Sequence, residues 1–293
     1  MRDIKSVEEE IEITRLIKSL AQTYEEVAVL KIQKVRITVL TTRDFLKRVT
    51  EVYYEVKKSY KNRVLKLISK KKKDETIINF TTLNKNGKTV TILITPNERL
   101  MGEISNKVFY SFFKKILEEK TDLIVIGKVG KDLFDSYKIN RSYKYFDLPI
   151  INSSTDILKP IISDIIQYEN VNVYHGKFIN LVNQIEVLSS LSGEVLEEST
   201  SQQQKKNSDF LFEPSIEEIL NFFEVQIFSS LFKQSIAEAE LANLGSRIKA
   251  MEEVTNNTEE QIKYMLNEKQ TISKAVENRK QLQRLAGISL WAN

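Results

Sequence analysis

The sequence predicts an α/β protein with two long terminal helices, which pair as an antiparallel coiled coil, and a small central α/β sandwich domain with a mostly parallel sheet. The positions of its 8 glycines and 4 prolines among 293 residues carry much of this prediction. None occurs before Gly87, ten lie from Gly87 to Pro214, and only Gly245 and Gly287 follow. These residues interrupt regular structure, so the two arms without them are expected to be helical. The predicted boundaries are 1–72 for the N-terminal helix, 73–211 for the central α/β domain and 212–293 for the C-terminal helix.

The N-terminal arm carries apolar residues at helical spacing. Val35–Thr42 is rich in β-branched residues, but no glycine or proline bounds it, so we predict one continuous helix that ends before Lys70–Lys73. A stripe of apolar side chains three or four residues apart is expected to face the C-terminal arm. The stripe consists of Ile13, Ile17, Leu20, Tyr24, Val27 and Leu30, and a second stretch of Leu46, Val49, Tyr53, Val56 and Tyr60.

The C-terminal arm alternates spacings of three and four without interruption, which is the pattern of a left-handed coiled coil. A homodimeric coiled coil is one interpretation. Antiparallel pairing with the N-terminal arm is the simpler one, because that arm has its own stripe and the central block can return the chain. The predicted seam consists of Leu241, Leu244, Ile248, Met251, Thr255, Thr258, Ile262, Met265, Lys269, Ile272, Val276, Arg279, Gln283 and Ala286.

The central block alternates strand and helix patterns, which favours a small sheet covered by helices. Thr76–Leu83 and Thr89–Thr95 flank Asn86-Gly87, and this arrangement predicts a β-hairpin. The further elements predicted are a helix at Ile104–Glu119, a strand at Leu123–Ile126, helices around Lys131–Tyr137 and Thr155–Tyr168, a strand from Val171 and a polar loop at Glu197–Asp209.

The composition excludes most catalytic classes. The chain has no cysteine and one histidine, so we expect no metal site, no cofactor and no histidine-based triad, and we assign His175 a structural role. No apolar run reaches the ~20 residues of a membrane span, and the acidic start MRDIKSVEEE is unlike a secretory signal. A cytoplasmic protein is therefore expected.

Three local patterns suggest ligands only weakly. Gly127–Asp132 follows a strand but lacks the glycine spacing and the Ser or Thr of a phosphate-binding loop, so we interpret it as a plain strand-to-helix turn. Lys70–Lys73 has no interleaved aromatic residue, and two tyrosines, Tyr143 and Tyr145, are too few to indicate base stacking. Nucleic-acid binding is therefore not expected.

Five motifs, in order along the chain, resemble those of one known family. They are Arg2-Asp-Ile-Lys-Ser-Val7 with Ile13-Thr14, Lys18 and Ala21; Thr95–Gly102; Asp122–Asp132; Phe212-Glu-Pro214; and Arg247-Ile-Lys-Ala-Met251 with Thr255-Asn-Asn257, after which Gly287 falls on a glycine of the family. Together they resemble the gamma subunit of F-type ATP synthases over essentially the whole chain. Gly245 matches no feature of the family, and we expect a point of compliance there.

The resemblance implies a non-catalytic rotor subunit. In that family the coiled coil turns inside a hexameric ring of alpha and beta subunits and couples ATP turnover to rotation. The partners implied are alpha-like and beta-like ATPase subunits, an epsilon-like subunit and a membrane ring, so contact with the inner face of the cell membrane would be peripheral and indirect. The ring-contacting residues implied are Ile13, Ile17, Lys18, Arg247, Ile248, Met251, Ser273, Lys274, Leu282, Leu285, Ile288, Leu290 and Trp291.

The chain departs from the family where the coil would meet the ring. The first turns carry Glu8, Glu9, Glu10 and Glu12 instead of basic or polar residues, and an Arg-Gln pair of the family falls on Ser273-Lys274. With 33 lysines to 11 arginines, these departures favour a divergent motor of a low-GC, wall-less bacterium, one that drives a process such as gliding instead of proton pumping. A non-rotating coiled-coil adaptor is the alternative function.

Overall fold

The computed structural model describes residues 3–68, 85–147, 158–191, 213 and 215–291. The chain divides into two compact units, one formed by Met1–Leu30 with Arg247–Asn293 and the other by Lys31–Ser246. The predicted domain boundaries at 72/73 and 211/212 lie outside the described residues and stay predictions.

The two arms are the long helices α1 (Ile4–Ile68) and α5 (Ile216–Trp291). Val35–Thr42 lies inside α1, as predicted. Its β-branched residues favour strands in general, but two of them, Val35 and Val39, are buried one helical turn apart, and no breaker interrupts the helix.

The central block of the second unit contains a five-stranded sheet in the order β3-β2-β1-β4-β5, which confirms the predicted mostly parallel sheet. Strands β1 to β4 run parallel to one another, and β5 is antiparallel to β4. The strands are β1 (Thr89–Ile94), β2 (Asp122–Ile126), β3 (Lys144–Phe146), β4 (Asn170–Phe178) and β5 (Gln184–Ser190), and the connecting helices are α2 (Ile104–Glu118), α3 (Lys128–Ser136) and α4 (Leu158–Ile165).

The hairpin predicted at Asn86-Gly87 is wrong. Strand β1 pairs in parallel with β2 on one side and with β4 on the other, so neither of its edges is left for Thr76–Leu83. Thr76–Leu83 itself lies outside the described residues. The sheet has its hairpin at β4–β5 instead, where the side-chain oxygen of Asn180 accepts hydrogen bonds from the amides of Val182 and Asn183.

Buried side chains cover both faces of the sheet. Val90, Ile92 and Ile94 of β1 belong to the cluster that contains α4, whereas Leu93 belongs to the cluster formed with α2 and α3. Helix α5 contributes to both clusters: Phe232, Ile236 and Ala239 pack in the first and Ala242 in the second. The helix is therefore an integral part of the α/β core.

Small residues of α5 allow the loop before α2 and the β4–β5 hairpin to approach it closely. A Cβ at Gly245 would lie 2.9 Å from the ring of Phe178 and 3.0 Å from Gln184 Nε2. At neighbouring positions of α5, Ser246 Oγ accepts a hydrogen bond from the amide of Ile104, and Asn243 pairs with Ser105. The close approach of Phe178 and Gln184 thus explains why position 245 is a glycine. These packed surroundings do not support the expected point of compliance.

The turn after β2 is saturated by hydrogen bonds from the chain itself. Gly127 N donates to Phe146 O, Lys128 N to Asn97 Oδ1, Val129 N to Pro96 O and Gly130 N to Thr95 Oγ1. These are the amides that a phosphate-binding loop would direct at its ligand. The structure therefore confirms the interpretation as a plain strand-to-helix turn.

Gly127 should be the least replaceable residue of this turn. It has φ +98°, and a Cβ there would overlap the carbonyl of Thr95. We expect Gly127→Ala to lower the free energy of unfolding by more than about 3 kcal/mol, because backbone strain and a backbone clash add together. Urea denaturation measures the change.

Gly87→Ala is the matched control. Gly87 also has a positive φ, +68°, but nothing lies within 4 Å of the position that a Cβ would take there. The cost should be about 1 kcal/mol from the left-handed backbone alone. Equal losses in the two variants would contradict the proposed clash.

His175 is buried within β4 and links it to its neighbours. Its Nδ1 donates to Gly176 O and its Nε2 accepts from Ser189 Oγ of β5, each at 2.9 Å. Burial lowers the pKa of the imidazole, so the folded protein holds it neutral. The structural role predicted for His175 agrees with this position.

The stability of the α/β domain should depend on the protonation of His175. In the unfolded chain His175 binds a proton near its ordinary pKa of 6.5, whereas in the folded state it binds one only at lower pH. The free energy of unfolding is therefore expected to fall as pH drops from about 6.5 to 5.5, by up to about 1.4 kcal/mol per pH unit. His175→Gln should flatten the curve in this window, and an unchanged slope would contradict the assignment.

Candidate partner-binding site on the coiled coil

The first unit is an antiparallel pair of helical segments. Glu8 lies 2.8 Å from Lys269, and Lys18 lies 3.5 Å from Glu259, so increasing numbers on α1 meet decreasing numbers on α5. The guanidinium of Arg247 lies 5.5 Å from the ring centre of Tyr24 and continues the same direction. Within this unit the predicted antiparallel pairing is confirmed.

The seam between the two segments is narrow and rich in small or polar residues. Among the described residues of this unit, Val7 and Ile11 form a cluster of larger side chains with Met265, with Ile262 and Ile272 beside them. Further along α1 the buried positions are Thr14, Ala21 and Ala28. Small seam residues contribute little buried apolar area, so this part of the coil is held more weakly than a leucine-rich one.

The second stretch of the predicted stripe packs against α5 as expected, since Tyr53 and Val56 share a buried cluster with Leu220 and Ile227. The first stretch, from Ile13 to Leu30, does not, contrary to the prediction. Its side chains face outward instead: Ile13 and Leu20 are each 57% exposed, and Ile17, Val27 and Leu30 are exposed as well. Leu16, which the predicted stripe does not include, is 70% exposed and extends the same surface. Tyr24 is the exception, since it is half-buried beside Arg247.

The register of the buried positions explains this outcome. Val7, Ile11, Thr14, Lys18, Ala21 and Ala28 follow the three-and-four alternation that also contains Leu46, Val49, Tyr53 and Val56 further along α1. The exposed stripe is offset from that alternation by one residue, or about 100° around the helix. The signal that would have identified the seam was the register shared with the second stretch, not local hydrophobicity.

The ring-contacting residues expected from the family resemblance fall into separate environments. Ile13 and Ile17 lie on the exposed stripe, and Lys18 is half-buried in its ion pair. Arg247 is 1% exposed, and Ile248 and Met251 are buried in the seam, so these three offer almost no surface to another chain.

The end of α5 continues past the seam. Val276 and Arg279, which the heptad pattern places in the seam, are exposed, so the predicted seam applies only as far as Ile272. From there to Trp291 the helix runs on for about 28 Å. Ser273, Lys274, Leu282 and Leu285 are exposed on this extension. The side chains of Ile288, Leu290 and Trp291 lie outside the described residues.

The part of the chain that the structure describes contains neither a candidate metal site nor a candidate membrane-spanning helix. Across residues 3–68, 85–147, 158–191 and 215–291, no group of His, Asp or Glu side chains is arranged to hold a metal ion. No helix in these same ranges is long and apolar enough to cross a membrane.

The two units contain the architecture that the family resemblance implies, an antiparallel two-helix coil in one and a mostly parallel α/β domain in the other. A family model described as ATP synthase matches residues 3–269, and the chain belongs to this family. Among curated proteins it is 25% identical over 269 residues to the ATP synthase gamma chain of Mesoplasma florum, covering 89% of this chain and 88% of that one. It is 22% identical over 272 residues to the gamma chain of Halothermothrix orenii, with 89% and 88% covered.

Solved structures show the same fold at lower identity. The central stalk of the Tetrahymena thermophila mitochondrial ATP synthase aligns with a TM-score of 0.55 and 16% identity, covering 80% of this chain and 98% of that one. A chain of the Euglena gracilis mitochondrial ATP synthase aligns with a TM-score of 0.50 and 14% identity, covering 88% and 94%. The chain is therefore a gamma-like central-stalk subunit, non-catalytic in itself.

Substitutions at two neighbouring positions distinguish the buried seam from the exposed stripe. Ala21 is buried in the seam, so Ala21→Leu should overpack it and lower the free energy of unfolding by about 1–3 kcal/mol. Leu20→Ala, one residue away on the exposed stripe, should change it by less than about 0.5 kcal/mol. Thermal unfolding followed by circular dichroism measures both, and the reverse order would contradict the assigned seam.

Proposed function

We propose that this chain is the rotor of an F-type-like ATPase, and that its coiled coil turns inside a ring of alpha-like and beta-like subunits to couple ATP turnover to rotation. The family membership supports this role, and the observation that carries it is the exposed stripe of Ile13, Leu16, Ile17 and Leu20. A coil that buries alanines and exposes leucines and isoleucines along the same helix is built to contact other chains.

Rotary coupling requires that the faces of the shaft differ. A conformational change in the ring is driven only if the shaft binds the competing states with different free energies. Around this coil, one face carries the apolar stripe, and other positions carry the ion pairs Glu8–Lys269 and Lys18–Glu259. These faces would present a different chemistry to each subunit of the ring in turn.

The expected contacts divide into direct and indirect ones. Ile13 and Ile17, with Ser273 and Lys274, would touch the ring directly because their side chains are exposed. The terminal Leu282 and Leu285, with Ile288, Leu290 and Trp291, would form the apolar end that turns in the ring. Arg247, Ile248 and Met251 would act indirectly by fixing the seam that holds the stripe in place, since they are buried.

Further partners follow from the relatives. The Tetrahymena structure is described as a central stalk with a c-ring. By analogy, the α/β domain would bind a membrane ring and an epsilon-like subunit, which would place the protein at the inner face of the cell membrane without crossing it.

The motor would drive a process such as gliding instead of proton pumping. Its supports are the lysine-rich composition, the altered charges of Glu8–Glu12 and Ser273-Lys274, and the similarity to a Mesoplasma gamma chain. The subunits that co-purify with the native complex test it: a proton-translocating ring would contradict gliding, and cytoskeletal or surface proteins in its place would support it.

A combined variant tests the rotor function at the stripe. Ile13→Ser, Ile17→Ser and Leu20→Ser remove apolar surface that is already exposed, so the coil should fold normally while assembly with the alpha-like and beta-like subunits falls at least tenfold. Affinity purification of the complex measures assembly, and circular dichroism of the isolated chain measures folding. Glu12→Ser, Arg15→Ser and Ser19→Ala on other exposed positions of α1 form the control.

The alternative, a non-rotating adaptor, is decided by direct observation. A bead attached to the α/β domain of the assembled complex should step when ATP is added, and removal of residues 279–293 should impair the stepping. A bead that stays still while ATP is hydrolysed would establish the adaptor and refute the rotor.

A further inference from the structure

The sheet ends in two edge strands, β3 and β5, which differ in how well they are protected against pairing with another chain. Soluble proteins usually protect an edge strand by keeping it short or by placing charged residues on it. Strand β3 has three residues, and its Lys144 forms an ion pair with Asp164 at 3.0 Å. Strand β5 has seven residues, contains no lysine or proline, and pairs with β4 without a bulge. The edge at β5 therefore lacks the usual protection.

The pairing register shows which backbone groups of β5 point outward. Leu191 N donates to Val171 O, and in an antiparallel ladder every second residue bonds to the partner strand, so the odd-numbered residues of β5 bond to β4. The amides and carbonyls of Glu186 and Leu188 therefore point away from β4. In the part of the chain that the structure describes, no backbone group pairs with them. The two residues are about 6.8 Å apart along the strand, a spacing that an added strand would match.

The side chains beside this edge include exposed apolar ones on both faces of the sheet. Successive side chains of a strand alternate between faces, so Ile185 and Leu188 lie on opposite faces, and they are 44% and 47% exposed. Ile179, Leu181 and Val182 extend the exposed apolar surface at the tip of the β4–β5 hairpin. Apolar surface on either side of unpaired backbone groups is the surface that an added strand buries.

Charge narrows the choice of strand. Glu186 is the only charged residue of β5, and its side chain is exposed. Opposite charges that face each other across a strand pair are stabilising, and like charges are destabilising. A second copy of β5 would bring another Glu186 and no lysine or arginine. The edge therefore fits a strand of different sequence, with a basic residue opposite Glu186 and apolar residues beside Ile185 and Leu188.

We propose that an extended segment of another subunit of the native complex adds to β5 as a sixth strand of the sheet. Its backbone pairs with the outward amides and carbonyls of Glu186 and Leu188, and its apolar side chains cover Ile185 and Leu188. The inference goes beyond the proposed rotor function. It needs a partner subunit but not rotation, and it concerns the α/β domain, whereas the contacts expected with the alpha-like and beta-like subunits are on the coil.

Hydrogen exchange tests the pairing at individual amides. The amides of Glu186 and Leu188 should exchange at least tenfold more slowly in the purified native complex than in the isolated full-length chain, because the added strand accepts their hydrogen bonds. The amides of Val187 and Ser189 should exchange slowly in both samples, since they bond to β4. Slow exchange of Glu186 and Leu188 in the isolated chain, where only the chain itself or a second copy can cover them, would overturn the inference, and so would fast exchange in the complex.

Variants at position 186 test the contact by a second route. Ile185→p-benzoyl-phenylalanine should crosslink in the complex to a subunit other than this chain, and a crosslink to a second copy, or none, would overturn the inference. Glu186→Pro removes an outward amide, and Glu186→Lys reverses the charge and leaves the backbone intact. Each should reduce the recovery of the crosslinked subunit at least tenfold while the alpha-like and beta-like subunits remain, with folding measured by circular dichroism.

Glu55→Lys is the matched control, because it makes the same charge change at an exposed position of α1. It should leave the recovery of the crosslinked subunit unchanged. Full retention of that subunit in Glu186→Lys, or an equal loss in Glu55→Lys, would overturn the inference.

Discussion

Each helix of a two-stranded coil can bury only one narrow line of side chains, and this constraint determines the character of the first unit. Helix α1 has two candidate lines in its N-terminal half, one of large apolar residues and one that contains Ala21, Ala28 and Thr14. The second is buried. The larger side chains are therefore left outside, and the surface through which the protein can act on partners is a direct result of how its own helices pack.

The buried residues of the seam differ between its two helices. Val7 and Ile11 form a cluster with Met265, and Ile248 and Met251 of α5 are buried as well, whereas the alanine positions of α1 supply little apolar area. Arg247 adds a different kind of contact, since a buried guanidinium beside the Tyr24 ring is stabilised by the charge distribution of the ring and not by hydrophobic burial. The core of the second unit is held mainly by hydrophobic burial, because apolar side chains cover both faces of its sheet.

The sequence predicted most helices and strands well, but it predicted less well which face of a helix is buried. Long helices follow from the absence of glycine and proline, and β2 follows from an uninterrupted apolar run, so both could be read from local pattern. The hairpin at Asn86-Gly87 could not be judged locally, because β1 takes both of its neighbours from distant parts of the chain. The outward orientation of Ile13 and Leu20 is decided by which positions of α1 pack against α5. Only the register shared with Leu46–Val56 contains that information. The need for glycine at position 245 likewise leaves no local signal, because it comes from the close approach of the Phe178 ring, which lies far back in the sequence.

Helix α5, which is synthesised after the sheet, contributes to both hydrophobic clusters of the α/β domain. Phe232, Ile236, Ala239 and Ala242 of α5 complete hydrophobic clusters whose other members lie between Val90 and Leu191. During synthesis the sheet therefore emerges from the ribosome well before the helix that seals it. Until Ala242 has left the exit tunnel, the apolar faces of β1, β2 and β4 lack part of their cover, so the nascent chain exposes apolar surface for longer than its short sheet would suggest.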